Sequence, residues 1–404
     1  MASPDPPDTC LKAPGHIPKL RRGKSGSLGR IKNVFANLGL LVAALMISFV
    51  LIEAGLRIFN PIEMRLKGDQ IHLPFFKHYE IKVNAGGKLD PVITHTRNSL
   101  GFRGQGLPKD WPSRLTILAI GGSTTENFYI SDGNTWPELL GGHLKKAFDG
   151  VWINNAGLLG HSTYGHIHLV RQYVIGLRPK TALFLIGIND RARTGTTSIE
   201  ESMGNVRPGI FRKIRAFLFA NSELLSLLWN VHRSLKATQA EVTDTEILDF
   251  RSLGTQETTP EKEAEMLDYH RAFVDPYRLR VRELVSLAKD NGIVPVLITQ
   301  PAVFGFGIDD VTGIDLGKAR VLSSNGASSW KTLELYNEAT REIAAETGVF
   351  LVDLGRKLKK SSRYYYDTIH FSNAGAAAAA NIIFEELCPY LQKTFPDDSS
   401  GSCF

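Results

Sequence analysis

The chain has 404 residues, 43% of them hydrophobic and 22% charged, enough for one large domain or two modest ones. Its formal charge of +6 is confined to one end: residues 1 to 32 hold seven Lys or Arg and two Asp, which leaves the rest near neutral. No basic stripe with interleaved aromatics follows, which excludes a nucleic-acid partner for the main body.

Residues 1–32 are rich in Pro, Gly, Ser and basic residues and lack apolar periodicity, so a disordered basic tail is expected. From Asn33 to Ile52 runs a stretch of 20 uncharged residues. A helix needs about 20 apolar residues to cross a bilayer, so 33–55 is predicted as a transmembrane anchor. Lys19, Arg21, Arg22, Lys24, Arg30 and Lys32 precede it. The positive-inside bias then keeps the N-terminus cytoplasmic and places the rest outside the cytoplasm, in the periplasm if the source is bacterial. A cleaved signal has a shorter apolar core, of about 7–15 residues, followed by a small-residue cleavage site. Glu53-Ala54-Gly55-Leu56-Arg57 is a poor cleavage site, and Glu53 and Arg57 are spaced to pair.

Residues 61–114 are of mixed polarity with scattered prolines and are predicted as an irregular lead-in. Within it, Asn98-Ser99-Leu100-Gly101-Phe102-Arg103-Gly104 is expected to turn and pack against a sheet edge. The apolar run Leu115 to Ile120 fits a buried strand, and Gly121-Gly122-Ser123-Thr124-Thr125 follows it directly. A serine on a glycine-rich turn leaving a strand is where an α/β enzyme presents a nucleophile. Trp136 to Phe148 has helical spacing, Val151 to Asn154 is a short strand, and Asn155-Ala156-Gly157-Leu158-Leu159-Gly160 follows. His166 to Ile175 is predicted helical, and the strand Ala182 to Ile186 leads into Gly187-Ile188-Asn189-Asp190.

A long insertion, 191–269, breaks the alternation. Basic and bulky apolar residues interleave over Ile210 to Phe219, as in a substrate cap, an interfacial helix touching the bilayer, or a helix packed on the core. Glu241 to Glu265 is acidic and polar and is expected to be an exposed loop. Tyr277 to Asp290 is an amphipathic helix, Ile293 to Thr299 a strand, Leu333 to Thr347 a helix, and Val349 to Asp353 the last strand. Then come Asp367-Thr368-Ile369-His370-Phe371-Ser372-Asn373-Ala374-Gly375, a closing helix to Leu391, and a tail, 392–404, expected to be flexible.

These four blocks, in this order, resemble the SGNH hydrolase superfamily of GDSL-type esterases, in its membrane-anchored form. The resemblance covers 115–391, with one departure: Gly122 stands where the name-giving motif has Asp. It implies a three-layer α/β/α, flavodoxin-like domain with a five-stranded parallel sheet. It also implies Ser123 as nucleophile, His370 as base, and Asp367 as the group that orients the imidazole. The oxyanion donors would be the Ser123 and Gly160 backbone N–H groups and the Asn189 side-chain amide, with Gly157 a competitor for the Gly160 role. No cofactor is expected. His161, His166 and His168 are not spaced as three ligands on one helix face, so no metal is expected either.

The implied activity is cleavage of O-acyl esters, with a cell-envelope glycan or lipid as acyl-bearing substrate and the bilayer as partner through the anchor. An acyltransferase using the same acyl-enzyme, and a non-catalytic envelope scaffold, are the alternatives. With Cys10 on the cytoplasmic side, Cys388 and Cys403 lie together on the exported side, where a disulfide is permitted.

Overall fold

The computed structural model describes residues 26–59, 66–67, 70–84, 86–191, 210–228, 231 and 247–403. Most of the basic tail and much of the 191–269 insertion lie outside the described residues. The chain divides into two compact units, Met1–Asn60 and Pro61–Phe404.

The first unit carries one helix, Gly26–Ile58. Within Lys32–Ile58 an 18-residue window has a mean hydropathy of 2.5. At 1.5 Å per residue the segment is about 40 Å long, and its apolar residues surround the axis, as lipid would require. By length and composition it can cross a membrane. Glu53 and Arg57 pair at 3.0 Å near its C-terminal end.

The second unit is built on a six-stranded sheet. Its spatial order is Phe350–Val352, Val294–Ile298, Thr181–Leu185, Leu115–Gly121, Val151–Asn155 and Arg103–Gly104. The first five are parallel, and their arrangement is the flavodoxin-like one. The sixth, a two-residue strand not foreseen in the five-stranded expectation, pairs antiparallel with Asn154 and Asn155 and closes that edge. Strand alternation sorts the core. Leu115, Ile117 and Ala119 face a cluster shared with the helices Trp136–Leu144 and Asn373–Thr394. Leu118 and Ile120 face a second cluster shared with Thr163–Leu169, Pro260–Asp290 and Gly326–Thr347. The result is a three-layer α/β/α domain.

Several boundaries differ from the sequence reading. Pro260–Asp290 begins 17 residues before the expected Tyr277, so residues 260–265 of the expected acidic loop are helical. Thr259 caps it by accepting from Lys262 N, and Pro260 occupies the first turn, where a missing N–H costs nothing. Pro276 lies inside the helix and interrupts the local pattern. The 166–175 helix begins at Thr163 and passes through a π turn, Val170–Val174. The lead-in contains a hairpin, Lys77–Lys82 with Val92–Arg97.

The tail is a correction. Residues 392–403 are packed: the Ser400 and Gly401 N–H groups donate to the Ala147 carbonyl, and Lys180 Nζ pairs with Asp398 at 2.7 Å. A Cys388–Cys403 disulfide ties the end to the last long helix.

Candidate active site

The strand Leu115–Gly121 is buried along its whole length and delivers the chain to Gly122. There it turns into a one-turn helix, Ser123–Glu126, closed by Asn127 in the left-handed conformation. Ser123 retains 7% exposure at this turn. Its Oγ lies 2.7 Å from His370 Nε2, and His370 Nδ1 lies 2.5 Å from Asp367 Oδ2. The second carboxylate oxygen, Asp367 Oδ1, accepts the backbone N–H groups of Ile369 at 2.8 Å and His370 at 2.7 Å. One carboxylate therefore shapes its own loop and meets the ring in that loop. The His370 ring lies nearly parallel to that of Tyr366, with centroids 5.6 Å apart.

The facing loops come from the neighbouring strands. Thr181–Leu185 leads through Gly187 into the turn Ile188–Asp190. Asn189 Nδ2 donates to the His161 carbonyl at 2.9 Å. Buried Asp190 accepts from the Thr163 hydroxyl at 2.5 Å and from Arg280 Nη2 at 3.1 Å. Arg280 also donates Nε–H to Thr163 Oγ1 at 2.6 Å and lies 4.0 Å from the centre of the Tyr164 ring. This node fastens the asparagine turn to the loop that carries Gly160. Ser123, Asn189 and the 156–161 loop all lie beyond the carboxyl ends of their strands. They flank the point where strand order reverses, the expected ligand crevice of such a sheet.

A model of the GDSL-like lipase/acylhydrolase family matches residues 119–378. The chain belongs to this family. It is an ester-cleaving hydrolase, as the family is. No curated protein matches the chain. Solved structures similar to it include Axe2, an acetylxylan esterase from Geobacillus stearothermophilus. That likeness is at 16% identity over 68% of this chain and 93% of the other, with a TM-score of 0.37. LAE5, an alpha/beta hydrolase enzyme from the metagenome of Lake Arreo, Spain, is similar at 15% identity over 67% and 94%, with a TM-score of 0.36.

Gly122, the one departure from the name-giving motif, sits directly against the asparagine turn. A Cβ there would lie 2.3 Å from Asn189 Nδ2 and 3.1 Å from the His161 carbonyl oxygen. The asparagine amide occupies the space that a side chain at position 122 would need. Gly157 and Gly160 differ in their surroundings. Gly157 packs so closely on the Ser123–Glu126 turn that a Cβ would lie 2.2 Å from the Glu126 nitrogen, and its N–H donates to Asn155 Oδ1. Gly160 is exposed, has φ of +74°, and opens onto free space.

The sequence reading missed the residues that hold the Ser123 turn from behind. Arg103 is fully buried and donates to the carbonyls of Glu126, Asn127 and Ile130 at 2.7–2.9 Å, and to Asp132 Oδ1 at 2.8 Å. Arg97 forms a buried ion pair with Glu126. Asn155 Nδ2 donates to the Thr125 carbonyl at 2.6 Å, and Trp136 Nε1 to the Thr124 carbonyl at 3.2 Å. With Asn127 N on the Ser123 carbonyl, every carbonyl from 123 to 127 is bonded. The only signal was the Asn98–Gly104 phrase, where the two arginines flank a turn organised by Asn98. Nothing in one dimension places their guanidinium groups under residue 126.

Proposed function

We propose that this hydrolase is a membrane-anchored serine esterase working through an acyl-Ser123 intermediate. The observation that carries the reading is the continuous chain Ser123 Oγ–His370 Nε2–Asp367 Oδ2, at 2.7 and 2.5 Å. His370 takes the Oγ proton as the bond from Oγ to the substrate carbonyl carbon forms. Asp367 fixes the ring tautomer and stabilises the imidazolium. The Ser123 and Gly160 N–H groups and the Asn189 amide receive the oxyanion. The ester C–O bond then breaks, the alcohol leaves with the proton from His370, and water repeats the sequence to release the acid.

The proposed substrate is an O-acyl group on a cell-envelope glycan or lipid. The 33–55 anchor would hold the 115–391 hydrolase domain on the extracytoplasmic side, with the 1–32 tail in the cytoplasm. The apolar helix supports the anchoring, and the Cys388–Cys403 disulfide supports an oxidising compartment. The 61–114 lead-in would serve as a brace for the nucleophile turn through Arg97 and Arg103.

The test is an active-site-directed fluorophosphonate applied to the full chain in detergent, read by intact mass. Wild type should gain one adduct and Ser123→Ala none. Equal labelling of both, or no labelling of folded wild type, would remove Ser123 as nucleophile.

A further inference from the structure

Two basic side chains near the site form no ion pair among the described residues. Arg191 stands two positions after Asn189. Its Nη1 makes one long approach, 3.5 Å, to the Ser329 carbonyl, and its guanidinium carbon lies 5.7 Å from the centre of the Phe304 ring. Lys360 Nζ lies 3.1 Å from the centre of the Trp330 ring and 3.3 Å from the Ala302 carbonyl. Other arginines of the same layer are saturated: Arg278, Arg282, Arg341 and Arg356 all pair with carboxylates. Glu334, whose charge reaches Lys360, is itself bonded to Arg341 and Arg356.

Both unpaired cations border one apolar cluster. Ala302, Phe304, Val321, Trp330 and Leu333 form it, and Ile188 and Ile369 pack against it. These two isoleucines are the chain neighbours of Asn189 and His370. The Val303 N–H also donates to the Thr368 carbonyl at 3.1 Å, beside Asp367. The cations thus frame a wall that continues into both site loops. Each residue keeps intermediate exposure, while its charged head group is largely withdrawn from water. Withdrawal from water without a counter-charge is unfavourable for both. Burial pushes the Lys360 ammonium down to about 7 and the Arg191 guanidinium down to about 10. Nearby His270 adds no charge at neutral pH, because burial and then Arg191 hold it down at about 4.

We propose that Arg191 and Lys360 form an anion subsite that receives a carboxylate carried by the same molecule as the scissile ester. The substrate class is then an O-acylated acidic molecule rather than a neutral one. This rests on the reading of Ser123 as nucleophile. A guanidinium fork and an ammonium supply charge-assisted hydrogen bonds to a carboxylate, and the aromatic wall keeps competing water away.

The test uses the full chain in detergent and a matched pair of probes, an O-acetylated methyl glucuronide and the corresponding O-acetylated methyl glucoside. Wild type should favour the glucuronide in kcat/KM by on the order of tenfold or more, and the preference should shrink in about 0.5 M salt. Arg191→Gln and Lys360→Met should each cut the glucuronide-to-glucoside ratio about tenfold, chiefly through KM. Equal use of the two probes by wild type, or equal losses on both in the variants, overturns the subsite while leaving the esterase reading standing. If a variant does not fold, the wild-type ratio and its salt response decide. If neither probe is cleaved and the fluorophosphonate does not label Ser123, the esterase reading has failed. Calorimetric binding of methyl glucuronide to wild type, weakened in Arg191→Gln, would then still support the subsite, and no binding to wild type would sink it.

Discussion

Gly122→Ala is expected to disable the enzyme while leaving it folded. The added Cβ would stand 2.3 Å from Asn189 Nδ2. Relaxed carbon contacts need about 3.5 Å or more, so the amide must withdraw by roughly 1 Å. The amide is tethered to the His161 carbonyl at 2.9 Å, so moving it breaks that bond and carries the donor out of place. Losing one oxyanion donor costs about 10²–10³ in kcat, or roughly 2.7–4 kcal/mol of barrier. The folding cost should be smaller, about 1–3 kcal/mol, because the clash falls on the end of one partly exposed side chain. The assay is kcat on p-nitrophenyl acetate beside the thermal midpoint. Asn189→Ala should show the same loss in kcat. Gly122→Ala/Asn189→Ala should fall no further than Asn189→Ala alone, since the clash then has no target. Retention of kcat within about threefold in Gly122→Ala, or multiplied losses in the double variant, would refute a role for the amide set by position 122.

Arg103→Met should destabilise the domain by about 3–5 kcal/mol in urea unfolding, because three buried carbonyls and Asp132 lose their donor together. A change below about 1 kcal/mol would mean that water or another donor takes over. Reducing the Cys388–Cys403 bond, which spans a separation of 15, should cost about 3 kcal/mol by the loop-entropy relation, seen as a lower thermal midpoint. An unchanged midpoint would show the tail to be held by its hydrogen bonds alone. Acid unfolding tests Asp353. Burial alone would raise its carboxyl, but hydrogen bonds from Arg341 and Thr299 outweigh this and hold it below the ordinary 3.8. Its stabilising share is therefore present above about pH 4 and lost as pH falls through the lowered value. Arg341→Met should make stability less steep in that window, and an unaltered acid limb would argue against the pairing. Removal of residues 1–60 should release the hydrolase from membranes that retain the full chain through a carbonate wash.

The order of the four blocks and the alternation of strands with helices were legible because each is local. A buried strand announces itself by a short apolar run, and Ser123, Asn189 and His370 follow runs or sit in marked loops. Asp367 and His370 are three apart, so a single turn can join them. The helix from Pro260 was cut short because Pro276 sits in its middle, although Thr259 and Pro260 carried a start signal. The packed tail was missed because its hydrogen bonds go to Ala147 and Lys180, far away in the chain.

By itself the sequence determined the layer architecture, the apolar helix, and which residue types stand at the strand ends, because periodicity and turn chemistry act over a few residues. Only the tertiary structure decided that Asn189 fills the space beside Gly122, that Arg97 and Arg103 lock the turn after Ser123, and that, among the described residues, Arg191 and Lys360 have no carboxylate partner beside one aromatic wall. Those outcomes depend on strand order and on side chains meeting across long separations. Such contacts are set by the packing of three layers at once, which no local pattern encodes.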